Sequence, residues 1–258
     1  MPRSVCTIKS KRFNKKVYIS LQANLKSKIR TLIKNQMSSH HIVRDDQEPA
    51  LIIANGASCS SELLGQLLEW SPLVIVLDSA IERVMQLDIK VDVLLGDFDR
   101  NFDTKKYEEL QYPIEIVHTP DQNKTDLEKA IDYLIERKIP AVNIVWATGR
   151  RADHTITNLT NIVRFKDLIK IVILDDYSKI FQLPTNFQKW YTANTNISLI
   201  PVGIVSGIHS ENLVYPLKDD TLTIGYRTGS SNAVAKDGIV TITHEKGDLL
   251  MMECIDLF

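Results

Sequence analysis

Cysteine is scarce in this chain: Cys6, Cys59 and Cys254 are the three in 258 residues. They are odd in number and far apart, and no pair has the spacing of a zinc site. No disulfide framework is readable, so a reducing compartment, the cytoplasm, is the expected location. Long apolar runs are missing as well. None approaches the roughly 18 residues of a membrane span, and the N-terminus lacks the apolar stretch of a secretory signal. Acidic residues are absent from residues 1–44, which hold 11 Lys/Arg. The remainder carries 20 basic against 32 acidic residues, so a basic arm leads an acidic body with a whole-chain net charge of -1. That balance does not suggest a nucleic-acid binder. The leader also has the composition of a transit peptide; a solvated tail or a dimer-stabilising extension is the plainer expectation.

Several catalytic signatures are absent too. There is no G-x-x-x-x-G-K-[ST] phosphate loop, no G-x-G-x-x-G dinucleotide turn, no H-E-x-x-H zinc helix and no G-x-S-x-G nucleophile elbow. What the chain does have is an ordinary globular mix, 44% hydrophobic and 24% charged, enough to bury a real core. Residues 17–21 suggest a short strand and residues 25–33 a short amphipathic helix, with linker-like text to about residue 49.

From residue 50 short apolar runs alternate with helical patterns. Strands are expected over residues 50–54, 73–77, 91–95, 113–117, 142–147 and 169–174. Helices are expected over 61–70, 80–87, 127–138 and 155–165. Continuous Val/Ile/Leu strands separated by helices predict a parallel sheet covered on both faces. After about residue 177 the helical patterns stop. Turn-bounded runs at 198–202, 205–209, 212–217, 221–226, 239–244 and 249–254 predict a sandwich or barrel. The fold class is therefore an α/β parallel-sheet domain, residues 48–180, followed by a smaller all-β sandwich-like domain, residues 181–258, with residues 1–47 as a basic extension.

Ligands bind beyond the carboxyl ends of strands in open parallel sheets. Polar and acidic residues gather there: Asp78-Ser79 after the second strand, Gly96-Asp97-Phe98-Asp99 after the third, Asp121 to Asp126 after the fourth, and Thr148 to His154 after the fifth. Asp97 and Asp99, two apart beyond an apolar strand, suit Mg²⁺, or equally a turn or helix cap. Thr125 or Asp126 is placed to cap the next helix, with Glu128 completing a capping box. Lys124 is either a phosphate contact or a solvated charge. Arg150 and Arg151 are placed to clamp phosphate oxygens. Asp153 either caps its helix or orients an arginine. His154 is a general base, a ligand contact or, most simply, a plain polar residue. Acids for a metal and arginines for phosphates together describe phosphoryl transfer. In the β region, Arg227 to Asn232 is small and polar, a loop able to wrap a ligand. Tyr215 either stacks on a planar ligand or packs in the β core.

Taken together, these segments resemble the thiamine pyrophosphokinase family. Gly96-Asp97-Phe98-Asp99 resembles its G-D-F-D-S segment, with Arg100 in place of Ser. Asp121-Gln122-Asn123-Lys124-Thr125-Asp126-Leu127-Glu128 resembles D-x-D-x-T-D-x-E, with Asn123 where Asp is frequent. Thr148-Gly149-Arg150-Arg151-Ala152-Asp153-His154 resembles T-G-G-R-x-D-H. Gly229-Ser230-Ser231-Asn232 is similar to G-x-S-N, and residues 212–217 to G-L-x-Y-P-L. One segment departs: Asp78-Ser79-Ala80-Ile81-Glu82 stands where D-G-G-A-N is usual.

The resemblance implies an ATP-binding catalytic α/β domain and a β domain for thiamine binding and dimerisation. It implies a homodimer with the active site between subunits. It implies Mg-dependent transfer of the pyrophosphoryl group of ATP to the thiamine hydroxyl, giving AMP and thiamine diphosphate. Mg²⁺ would sit on Asp97, Asp99 and Asp126. Arg151 is the catalytic cation, Asp78, Asp121, Lys124, Thr125, Asp153 and His154 surround the nucleotide, and Ser231, Asn232 and Tyr215 meet thiamine. The alternatives are a pyrophosphokinase for another acceptor, such as a hydroxymethylpterin, and a non-catalytic nucleotide- or thiamine-binding regulator. No nucleic acid and no membrane are expected as partners.

Overall fold

The structure is a computed structural model that describes residues 50–98 and 102–255. The elements expected within residues 1–47, and the site residue Asp99, lie outside the described residues.

Six strands build a parallel sheet: β1 (Ala50–Ile53), β2 (Val74–Leu77), β3 (Val93–Gly96), β4 (Glu115–His118), β5 (Ala141–Val145) and β6 (Lys170–Leu174). Their order is β4-β3-β2-β1-β5-β6, and every neighbouring pair is parallel. The chain winds outward from β1 to β4, then returns to lay β5 on the other side of β1. That reversal opens a crevice between the carboxyl ends of β1 and β5.

Alternate side chains of these strands serve two cores, which is why the runs are apolar throughout. Leu51, Ile53, Val74 and Val76 pack with Leu64 of α1 (Ser61–Leu68), Ile81 and Val84 of α2 (Ile81–Met85) and Tyr107 of α3 (Thr104–Leu110). Ile52, Ile75, Leu95 and Ile144 pack with Leu127, Ile131 and Leu134 of α4 (Asp126–Glu136) and Ile162 of α5 (Ala152–Arg164). Helix α3 has no counterpart among the sequence expectations, because Tyr107 is its one buried residue and leaves little periodicity to read.

Seven strands follow: β7 (Ser178–Gln182), β8 (Asn186–Tyr191), β9 (Asn196–Glu211), β10 (Lys218–Thr223), β11 (Gly229–Ala233), β12 (Gly238–Thr243) and β13 (Lys246–Cys254). Strand β7 pairs antiparallel with β6 and with β13, so the sheet runs on without a break. Ile180 and Leu250 accordingly belong to the same core as α4 and α5. The described residues form one compact unit. A third core, around Ile197, Leu199, Val240, Ile242 and Met251, lies in the β region.

Two expected strands, 198–202 and 205–209, are one 16-residue strand, β9. It turns at Gly203 and Gly207, both with positive φ (84° and 66°). Before the turn it pairs with β13 and β11, after it with β10 and β12. Glycine is what allows a strand to change partners this sharply. Residues 212–217, expected as a strand, make only an isolated bridge through Leu213 to Val234. Conversely, the expected ligand loop contains strand β11, bulged between its pairings at Gly229 and Asn232. Ser231 takes φ 57° at that bulge, as an extra residue in one strand of a pair requires.

Candidate active site

A cavity of about 460 Å³ lies at the crevice beyond β1 and β5. Loops after all five strands from β1 to β5 line it, through Asn55 and Gly56, Ser79, Asp97, Gln122 and Lys124, and Ala147 and Gly149. The two central loops are locked together by backbone. The amides of Ala54, Gly56 and Ala57 donate to the carbonyls of Val145, Trp146 and Thr148. A Cβ at Gly56 would lie 2.3 Å from the Thr148 carbonyl oxygen, so only glycine permits this approach. In the β5–α5 loop, Trp146 (φ 56°) and Arg150 (φ 54°) hold left-handed conformations. Such strain persists where surrounding structure over-determines it.

The acidic residues converge at one edge. Asp78 accepts hydrogen bonds from the amides of Ser79 and, at 3.3 Å, Phe98. Burial pushes its carboxyl above the ordinary range, and the negative charges of Asp126 and Asp97 push it further. Asp97 behaves oppositely. Gln122 Nε2 donates to its Oδ2 at 3.1 Å, and that bond, with the positive charge of Lys129, holds its pKa down. Asp126 pairs with Lys129 Nζ at 3.1 Å, and the same buried ammonium donates to the Thr119 carbonyl at 2.9 Å. Lys129 is a site residue that the sequence reading passed over; its spacing of three from Asp126 on a helix was the available signal.

Thr125 does cap α4, in a complete capping box with Glu128. Asp121 accepts from the Asn123 amide at 2.9 Å, which lowers its pKa, and it does not line the cavity. Lys124 lines the cavity while its Nζ pairs with Asp132 at 2.7 Å. Asp153 orients an arginine rather than capping its helix. Both its oxygens accept from Arg151, one at 3.1 Å, and this fork holds the carboxyl near pKa about 2. Arg150, Arg151 and His154 line the cavity, as does buried Asn158, whose Nδ2 donates to the Ala147 carbonyl at 2.8 Å.

The departing segment 78–82 places its bulk away from the ligand side. Ala80 and Ile81 are fully buried against the α1–α3 core, and only Ser79 lines the cavity.

Ser231, Asn232 and Tyr215 lie together elsewhere, in the β region. Asn232 is buried: its Oδ1 accepts from the Tyr215 and Ala233 amides, and its Nδ2 donates to the Tyr215 carbonyl at 2.8 Å. Tyr215 itself is 67% exposed, which rules out the core-packing reading of that side chain. None of the three lines the cavity.

Family models decide the identity. The thiamin pyrophosphokinase catalytic domain matches residues 64–173, and the family's vitamin B1 binding domain matches residues 182–249. The chain belongs to the thiamin pyrophosphokinase family. Relatives agree with this membership. Thiamin pyrophosphokinase 1 of Caenorhabditis elegans is 25% identical over 176 residues, 61% of this chain and 69% of that protein. Thiamine pyrophosphokinase of Bacillus subtilis is 29% identical over 168 residues, 62% of this chain and 77% of that protein. The crystal structure of thiamine pyrophosphokinase from Bacillus subtilis superposes with TM-score 0.68 at 25% identity, covering 81% of this chain and all of that one. Yeast thiamin pyrophosphokinase, at 16% identity and TM-score 0.72 over 83% of this chain and 88% of that one, shares the fold. Thiamin pyrophosphokinase membership makes the chain an enzyme acting on thiamine, with ATP as co-substrate.

Proposed function

We propose that ATP occupies the cavity beyond β1 and β5, with its phosphates at the acidic edge, and that the chain transfers the pyrophosphoryl group to the thiamine hydroxyl. The observation that carries this is the convergence of five strand-end loops on one cavity holding both carboxylates and guanidiniums. A bond forms between the thiamine hydroxyl oxygen and the β-phosphorus, and the hydroxyl proton is released to solvent. The bond from that phosphorus to the oxygen bridging to the α-phosphate breaks, and AMP leaves. Thiamine diphosphate is the other product. The match to a vitamin B1 binding domain favours thiamine over a pterin acceptor.

Asp97 and Asp126, with Asp99, are the residues that would hold Mg²⁺. Among the described residues no group of three or more His, Cys, Asp or Glu side chains could hold a metal ion. The donor set nevertheless fits Mg²⁺, which takes one or two carboxylates and completes its shell with phosphate oxygens and water. Burial is the main cause of the raised Asp78 carboxyl, and the charges of Asp126 and Asp97 raise it further; that second contribution is negative charge a bound cation would offset. Bound there, Mg²⁺ would neutralise and orient the triphosphate. Arg150 and Arg151 offset charge that develops on the transferred group and on AMP. Asp153 holds the Arg151 fork in one orientation. Lys129 holds Asp126 in place through their ion pair.

Ser231 and Tyr215 are exposed and lie off the cavity. We assign them, with Asn232 as their brace, to the thiamine side of a site completed between two copies of the chain. On this reading residues 48–180 form the ATP-binding catalytic domain and residues 181–258 the thiamine-binding and dimerisation domain. The scarcity of cysteine supports a cytoplasmic setting, and no helix among the described residues is long and apolar enough to cross a membrane.

Asp97→Asn tests the assignment. Turnover is expected to fall by about a hundredfold or more, the worth of one charge-stabilising group in a site of this kind, with the melting temperature little changed. Near-normal turnover would remove Asp97 from the metal site.

A further inference from the structure

Arg83 makes more contacts than an exposed helical arginine needs. Its Nη1 donates to Asn55 Oδ1 at 3.1 Å and to the Gly56 carbonyl at 3.0 Å, and its Nη2 donates to Ser58 Oγ at 2.6 Å. Its Cζ sits 4.3 Å from the centroid of the buried Trp146 ring. One half-buried guanidinium thus ties α2 to the loop after β1 and to the first residue of the loop after β5.

Asn55 is also where Arg150 is seated. Arg150 Nη1 donates to the Asn55 carbonyl at 3.2 Å and to Asn55 Oδ1 at 3.3 Å. Two guanidiniums therefore share one side-chain oxygen. Asn55 and Arg150 line the cavity, whereas Arg83 lies behind them, on the wall of a neighbouring cleft. Like charges this close repel, and the charge of Arg150, after burial, helps to lower the pKa of Arg83. An anion in the cavity would offset that repulsion from the Arg150 side.

We propose that Arg83 is a positioning residue: it fixes Asn55 and, through Asn55, holds the Arg150 guanidinium toward the phosphates of ATP. The proposal rests on the reading that ATP occupies the cavity. The planar fork is essential to it. Lysine would keep the charge, but one ammonium cannot meet three acceptors and lie flat on an indole at once.

The test is a double-mutant cycle read in nucleotide affinity. The Kd for a non-hydrolysable ATP analogue with Mg²⁺ is measured by calorimetry for the parent chain, Arg83→Ala, Arg150→Ala and the double variant. Thiamine affinity and melting temperature are measured alongside. Arg150→Ala is expected to weaken nucleotide binding about tenfold, the effect of losing one charge-assisted hydrogen bond. Arg83→Ala is expected to weaken it comparably and leave thiamine affinity within about twofold, and the double variant should bind no worse than about twofold below Arg150→Ala alone. Arg83→Lys should fail to restore binding. Asn55→Ala, which keeps Arg83, should reproduce the loss even if Arg83→Ala does not fold.

Fully additive losses, or unchanged nucleotide affinity in Arg83→Ala and Asn55→Ala beside a tenfold loss in Arg150→Ala, would overturn the role of Arg83 alone. Unchanged affinity in both Arg150→Ala and Arg151→Ala would overturn the placement of ATP, and the role of Arg83 with it.

Discussion

A Cβ on Gly96 would lie 2.2 Å from Oδ2 of Asp78. Gly96 ends β3 and Asp78 follows the end of neighbouring β2, and the missing side chain of one makes room for the carboxylate of the other. Asp78 uses that room to accept the Phe98 amide and so shapes the turn that presents Asp97.

Gly96→Ala is therefore expected to displace Asp78 rather than merely stiffen the turn. Overpacking of this kind costs about 1–3 kcal/mol. Turnover should fall further than the loss of stability accounts for, because Asp97 moves with the turn. Turnover and chemical denaturation of the same preparation give the comparison; a stability loss with normal turnover would separate Gly96 from the site.

Asp78 also sets a pH dependence. Its folded pKa lies above the ordinary carboxylate value of 3.8. For a raised pKa, the contribution to stability is present below the unfolded value and is lost as pH rises through the folded one. At neutral pH the ionised carboxylate therefore costs stability in the ligand-free protein. Asp126→Asn removes one of the charges that raise it, so Asp78 should titrate lower in that variant. Carboxyl NMR shifts report this directly, and an unmoved Asp78 titration would show that Asp126 does not act on it.

Thr125→Ala separates capping from ligand contact. Loss of the capping box should cost about 1 kcal/mol. Turnover should fall much less than in Asp97→Asn, since the carboxylates remain. A fall as deep as that of Asp97→Asn would make the Thr125 hydroxyl part of the chemistry.

Asn232→Ala removes a buried amide that satisfies three backbone groups. Each group left unpaired costs about 1–3 kcal/mol, so the melting temperature should drop clearly. Thiamine affinity should weaken and ATP-analogue affinity should hold, because Asn232 braces Tyr215 and is remote from the cavity. Equal losses for both ligands would contradict that division.

The parallel sheet was legible in the sequence because strands buried on both faces read as unbroken apolar runs. The acidic edge was legible because sheet topology dictates where loops converge. Asp78, Asp97 and Asp126 meet for that reason, although no two of them share a loop. Arg83, Gln122 and Asn158 were not legible, because each earns its place through a partner that only the fold brings to it; Lys129 was legible in principle, three residues from Asp126 on one helix. Arg83 and Asn55 are 28 residues apart, and nothing local to α2 marks one of its residues as a clamp. In the β region the alternation survived but the register did not. Gly203 reads as a break between two strands and Gly207 as a residue within the second, yet both are turns inside β9. Tyr215 is aromatic in a β-rich segment, which suggests a core, and only the backbone bonds of Asn232 show why it stands in solvent.

The central claim is pyrophosphoryl transfer from ATP to thiamine, and an end-point assay tests it most directly. The protein is incubated with Mg-ATP and thiamine, and the nucleotides and thiamine species are resolved. AMP and thiamine diphosphate in equal amounts are expected; ADP with thiamine monophosphate, or no thiamine product at all, would contradict the account.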